Sequence, residues 1–191
     1  MALTESTMMD LHSAAPNFSL PSTDGSVVCL DDFNGAKALV VLFICNHCPY
    51  VIHIAPALKT LSDEYLDKGV AFVAISSNDA ESYPADSFEL MKKEKADRAY
   101  RFPYLYDADQ SVAKAYSAAC TPDLYVFNQD KKLAYRGEFD ATRPTRISSG
   151  NYSSDTKATG ASLASALDSI LKGKEIEGTQ YPSMGCNIKW R

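Results

Sequence analysis

Two cysteines three positions apart, Cys45-Asn46-His47-Cys48, with Pro49 directly behind them, are the residues whose types and spacing carry chemistry. Sulfurs at this spacing can close a small disulfide ring, and the thiolate is the form that reacts. The same pair could supply half of a tetrahedral metal site, making a Cu(I) or Zn(II) binding module of Cys45, Cys48 and either His47 or His53. The sequence holds no second Cys-x-x-Cys, and His12, His47 and His53 are its only histidines. Context favours redox chemistry. Ala38–Ile44 is a continuous apolar, β-branched run that reads as a buried strand. After the cysteines, Val51, Ile54, Ala55, Leu58, Leu61, Tyr65 and Leu66 recur at helical spacing. A dithiol between a strand and a helix lies where the helix's unpaired N–H groups favour thiolate. No metal and no cofactor is expected.

The other thiols are read one at a time. Cys29 lies in a short strand and reads as an inert buried thiol. Cys120 and Cys186 are candidate extra redox thiols, with core packing and a docked tail as their inert alternatives. His47, beside the second cysteine, should stabilise thiolate. Arg136 and Arg143 could bring positive charge, but nothing in the sequence places them. Paired carboxylates for acid–base work, a Ser/His/Asp set and a glycine-rich phosphate loop are not found in the sequence.

Elements that must position these residues follow from pattern. Asn17–Leu20 and Val27–Leu30 read as a hairpin joined by Asp24-Gly25. Val70–Ile75 is a second buried strand, and a polar loop from Ser76 to Asp86 leads to a helix near Ser87–Ala99. Phe102–Tyr106 reads as a short strand and Ser111–Tyr116 as a short helix. Leu124–Phe127 and Leu133–Arg136 are strands around the Asn128–Lys131 turn. Leu163, Ala164, Leu167, Ile170 and Leu171 mark an amphipathic helix stopped by Gly173. The order predicts one α/β domain with a mixed central sheet flanked by helices. Its parts are a core over 12–136, a long polar loop over 140–159, a helix over 160–173 and a tail over 174–191.

Composition limits the partners. With 19 basic and 24 acidic residues the net charge is −5, which argues against nucleic acid or an anionic membrane surface. The longest apolar run, Ala38 to Cys45, is far below the roughly 20 residues of a membrane-crossing helix. The N-terminus lacks the apolar stretch of a secretory signal, so a cytoplasmic setting with reduced thiols is expected.

The segment Phe43–Pro49 followed by Ile54-Ala55-Pro56 resembles the active-site strand and first helix of the thioredoxin superfamily. Thr121-Pro122 resembles that superfamily's cis-proline loop. The opening Ala15-Pro16-Asn17-Phe18-Ser19-Leu20 is similar to the start of peroxiredoxins and related redoxins. The ending Gly185-Cys186-Asn187-Ile188-Lys189-Trp190, with Cys45–Pro49 and Cys120-Thr121-Pro122, resembles a peroxiredoxin-like redoxin branch of the alkyl hydroperoxide reductase/thiol-specific antioxidant family. The resemblance implies a thioredoxin fold with an N-terminal hairpin extension and catalytic Cys45 and Cys48. It also implies Asn46, His47, Pro49, Thr121 and Pro122 as active-site neighbours, with a cis Thr121-Pro122 bond whose loop offers a substrate backbone something to pair with.

The expected activity is thiol–disulfide exchange with a protein disulfide, a dithiol or a hydroperoxide. A thiol peroxidase with Cys48 as attacking sulfur is the alternative. Departures from pattern separate them. Cys45 stands where peroxiredoxins have Thr or Ser and Val41 where they have proline, and the peroxiredoxin arginine near Thr121-Pro122 is missing. Leu39 replaces the buried aspartate of thioredoxin. The missing Thr/Ser and arginine predict Cys45, more exposed than Cys48 because it precedes the helix, as the attacking thiol and Cys48 as the resolving one. The helix N-terminus, His47 and the lack of a carboxylate at Leu39 predict a lowered Cys45 pKa and a disulfide more oxidising than thioredoxin's.

Overall fold

A computed structural model describes residues 3–153 and 155–191. Its centre is a five-stranded mixed sheet built on β4, below. Hairpin strands β2 (Ser19–Pro21) and β3 (Val27–Cys29) pair antiparallel across Gly25, whose φ of +92° suits a residue without Cβ. β1 (Leu3–Glu5) lies outside this hairpin. The sheet itself comprises β4 (Ala38–Phe43), β5 (Val70–Ser76), β6 (Tyr104–Tyr106), β8 (Asp123–Asn128) and β9 (Leu133–Arg136), with β7 (Cys120–Thr121) just ahead of β8. Its order is β6-β5-β4-β8-β9. The first three strands run parallel and the last two antiparallel to their neighbours.

β4 explains why this chain folds this way. Its six residues are all buried, and their side chains alternate between two apolar layers. Ala38, Val40 and Leu42 face α1 (Pro49–Leu66) and α4 (Ala161–Leu171), meeting Ile54, Leu58, Leu163 and Leu167. Leu39, Val41 and Phe43 face the other side, with Tyr116, Tyr125, Phe127 and the hairpin's Phe18 and Leu20. Two covered faces need a continuous apolar run, and β4 is one. The Tyr65 hydroxyl donates to the Ala164 carbonyl at 3.1 Å and to Asp168 at 2.8 Å, tying α1 to α4. α1 continues through Pro56 as one helix to Leu66. The shorter α2 (Phe88–Asp97) and α3 (Ser111–Ala115) complete the helices.

Two expectations need correction. The 140–159 stretch is not simply a loop. It holds a hairpin of β10 (Thr145–Ser148) and β11 (Asn151–Ser153), closed at its base where the Asp140 carboxylate accepts the N–H groups of Thr142, Thr159 and Gly160. All four β10 residues are exposed, so no apolar alternation marked them. Nor does the 12–136 span contain the whole of the sheeted structure. β12 (Met184–Asn187), in the expected tail, pairs antiparallel with β1 on one side and β7 on the other. Among the described residues, no helix is long and apolar enough to cross a membrane.

Asp123, opposite Phe43 in the β4–β8 ladder, is fully buried, and burial raises its pKa to about 6 against the hydrogen bonds it accepts from Ala119 N–H and the Tyr125 hydroxyl. The folded state therefore holds this proton more tightly than the unfolded chain. The stability that results is complete below about pH 4 and lost as pH rises toward 6, by up to about 3 kcal/mol. Asp123→Asn should flatten the fall in denaturation midpoint between pH 4 and 6. An unchanged slope would assign the pH dependence to other groups.

Candidate active site

The end of β4 and the start of α1 hold the dithiol. Cys48 is the N-cap of α1 and Pro49 its first residue, where the fixed φ and missing N–H of proline cost nothing. Cys45 lies three residues earlier, in the turn leaving the strand. The segment from Cys120 to Pro122 crosses opposite, with the Thr121-Pro122 bond cis, as expected. Thr121 touches both sulfurs. Its Oγ1 is 3.5 Å from Cys45 Sγ, and its carbonyl accepts from Cys48 Sγ at 3.0 Å.

The turn between the cysteines is held by a residue the motif does not contain. Asp86, buried completely, accepts the Asn46 N–H at 2.9 Å and the Asn78 side-chain amide at 2.7 Å. Its second oxygen also lies 2.7 Å from His47 Nδ1. The Asn46 side chain reaches the Ala85 carbonyl and accepts from the Tyr104 hydroxyl. Tyr83 stacks parallel to His47 with ring centroids 6.0 Å apart. Asp86 and Asn78 come from the stretch read only as a polar loop. Nothing in spacing alone pointed to them, because the turn at Pro84–Asp86 delivers the carboxylate from forty residues downstream.

The two thiols have different surroundings. Both thiols are buried, Cys45 at 2% exposure and Cys48 at 0%. Cys45's hydrogen bond to Cys48, its burial and the nearby Asp86 charge all push its pKa up. For Cys48, burial pushes upward, but hydrogen bonds from Cys186, Cys45 and Thr121 and the Val51 N–H in the first turn of α1 outweigh it. The Thr121 carbonyl favours the neutral thiol, yet a single acceptor faces several donors. These donors favour the thiolate of Cys48 over that of Cys45.

The remaining candidates divide clearly. Cys186 lies against Cys48 and belongs to the same buried cluster as Cys45 and Cys48. Cys120 is buried and turned toward the Pro122 and Ser183 carbonyls, and burial with the Asp123 charge pushes its pKa far up. That environment is of an inert thiol. Cys29, half-buried, hydrogen-bonds Ser19 in the hairpin. His53 is buried beside Thr142 rather than at the dithiol, with Nε2 2.9 Å from its hydroxyl. Arg136 is bound to the Met9 carbonyl, and Arg143 to Glu138 and to the Asp140 and Thr142 carbonyls. Cys45, His47 and Asp86 bring one sulfur, one nitrogen and one oxygen within 4.8 Å of one another, the one such ligand set among the described residues. It leaves out Cys48, so it is not the thiolate-pair metal site considered from sequence. Thr121's backbone, expected to be open to a substrate, is paired with Cys186 of the chain's own β12.

A mixed sheet of this order, a dithiol at a helix N-terminus and a cis-proline loop against it define a thioredoxin-fold protein. Residues 11–152 match the Redoxin family, and the chain belongs to it. A crystal structure of an uncharacterized conserved protein from Geobacillus kaustophilus is 49% identical, with a TM-score of 0.93, covering 100% of this chain and 97% of that one. The thioredoxin domain of a Bacteroides vulgatus thiol-disulfide oxidoreductase shares the fold at 21% identity and a TM-score of 0.58, over 67% of this chain and 88% of that one. Among named relatives, the thiol-disulfide oxidoreductase ResA of Bacillus thuringiensis is 23% identical over 68% of this chain and 70% of its own length. A putative chloroplastic peroxiredoxin Q of Oryza sativa is 30% identical over 51% of this chain, but the match spans only 41% of that relative.

Contact with Asp86, with its nearby charge, raises the His47 pKa against the opposing effect of burial. Asp86→Asn should therefore lower the His47 pKa toward the ordinary ~6.5, read by NMR titration of the imidazole. A His47 pKa unmoved by the substitution would mean that Asp86 does not hold the histidine charged.

Proposed function

We propose that this redoxin is a thiol–disulfide oxidoreductase in which Cys45 and Cys48 cycle between dithiol and disulfide. The observation that carries the reading is the arrangement of the pair, with Cys48 at the N-cap of α1, Cys45 in the turn before it, and Thr121 of the cis-proline loop against both sulfurs. Cys48 thiolate attacks a substrate disulfide. One substrate sulfur leaves as thiolate and the other stays bound to Cys48. Cys45 gives up its proton, which neutralises the departing thiolate, and attacks Cys48 Sγ to release the second substrate sulfur. The substrate disulfide is reduced and Cys45–Cys48 is oxidised. We place this in the cytoplasm, the reducing compartment favoured by the sequence.

A second reading draws on the burial of both sulfurs. A hydroperoxide reaches a buried thiolate more readily than a protein does, and Cys48-Pro49 at the N-cap supports Cys48 as its attacker. Against fast peroxidase chemistry, neither Arg136 nor Arg143 is turned toward the sulfurs to polarise a peroxide.

The order of attack separates this account from the sequence expectation. With a small chromogenic disulfide as probe, Cys48→Ser should slow the first thiol release by about tenfold or more, while Cys45→Ser should keep it. A first step lost in Cys45→Ser and retained in Cys48→Ser would restore Cys45 as the nucleophile. Rapid sulfenic acid at Cys48 under low peroxide would favour the peroxidase reading.

A further inference from the structure

Cys186 is the buried thiol that the two-cysteine cycle leaves unused. It sits in β12 directly across from Thr121, the residue that touches both Cys45 and Cys48. Its thiol interacts with that of Cys48, and the three cysteines belong to one buried cluster. This contact is fixed by backbone. Gly185 opposes Thr4 on one side of β12, and on the other its Cα faces the Thr121 carbonyl so closely that a Cβ would overlap it. The strand is anchored beyond the cysteine as well. Lys189 N–H donates to Asn78 Oδ1 at 2.9 Å, and the Lys189 carbonyl accepts from Gln110 and from the Asp79 N–H. Asn78 also holds Asp86, so the turn carrying Cys45 and the strand carrying Cys186 hang from one network.

We propose that Cys186 is a third redox thiol that exchanges with Cys48, so that Cys48 forms a disulfide with either Cys45 or Cys186. The inference rests on the dithiol reading and extends it. Starting from the Cys45–Cys48 disulfide, Cys186 loses its proton and attacks Cys48 Sγ. The Cys48–Cys186 bond forms, the Cys45–Cys48 bond breaks, and Cys45 leaves as thiolate and takes up the proton. No electrons enter or leave. The disulfide moves from the helix N-terminus to the C-terminal strand and frees Cys45. When Cys45 is absent and a hydroperoxide has converted Cys48 to its sulfenic acid, Cys186 condenses with it, forming the same bond and releasing water.

The geometry favours Cys48 as the shared partner because it touches both other thiols, whereas Cys45 is held on the Asp86 side of the turn. Burial does not obstruct the exchange, since the three cysteines lie in one buried cluster and no outside group has to enter.

The test maps disulfides in the full-length protein by alkylation and peptide mass spectrometry, after equilibration with glutathione redox buffers and after brief hydrogen peroxide. Wild type should show Cys45–Cys48 together with a fraction of Cys48–Cys186. Cys45→Ser should show Cys48–Cys186 alone. Gly185→Ala keeps every cysteine but forces the strand that carries Cys186 off Thr121, so it should lose Cys48–Cys186 while retaining Cys45–Cys48, with circular dichroism reporting that the fold persists. If wild type forms Cys45–Cys48 but Cys45→Ser forms no Cys48–Cys186 bond under either oxidant, Cys186 is a structural thiol and this inference fails alone. If wild type forms no disulfide at Cys48 at all, the dithiol reading and this inference fall together.

Discussion

A thiolate in a protein interior has lost its water, and only donors placed around it make up the loss. Cys48 is the thiol set among such donors here. The first turn of α1 gives it a helix N-terminus, Cys45 approaches from the strand side, and Cys186 approaches from the tail. Each donor comes from a different part of the chain. The parallel strands aim the β4–α1 turn, the Cys120–Pro122 segment carries Thr121 across it, and β12 closes the third side. If any one of these moved, the charge on Cys48 would be stranded among apolar side chains.

The donors are kept in place by polar groups that are themselves buried and shared. Asp86 binds Asn46 and His47 in the dithiol turn and Asn78 behind it, and Asn78 in turn holds the backbone of Lys189. Buried hydrogen bonds of this kind are worth more to specificity than to net stability, because a lost partner leaves an unsatisfied group. The tail is therefore part of the site, not an appendage. It also explains why the backbone of Thr121 is not simply open to a substrate. Covering the sulfurs restricts what reaches them to small molecules or to partners that displace a covering segment.

Much of the frame was legible in the sequence because it follows from local pattern. The apolar run at Ala38–Ile44, the helical spacing after Pro49 and the turn at Asp24-Gly25 each have a short-range physical cause. Chemistry at Cys45 and Cys48 could be read from the same neighbourhood, and Thr121-Pro122 came from family resemblance. The surroundings of the two sulfurs were not legible, because tertiary packing buries both of them and sets His47 beside Asp86. Asp86 and Asn78 were invisible because a carboxylate forty residues away in a polar stretch has no periodicity to betray it. β12 was missed because Met184–Asn187 is too short and too mixed to read as a strand. Its pairing depends on Gly185 passing under Thr121, a contact between distant segments.

The account stands most directly on which sulfur is the anion, and thiolate absorbance near 240 nm followed against pH measures it. One thiol should titrate below the free-cysteine value of ~8.5 in the reduced protein, survive in Cys45→Ser and vanish in Cys48→Ser. A low-pH thiolate that disappears in Cys45→Ser and persists in Cys48→Ser would contradict it.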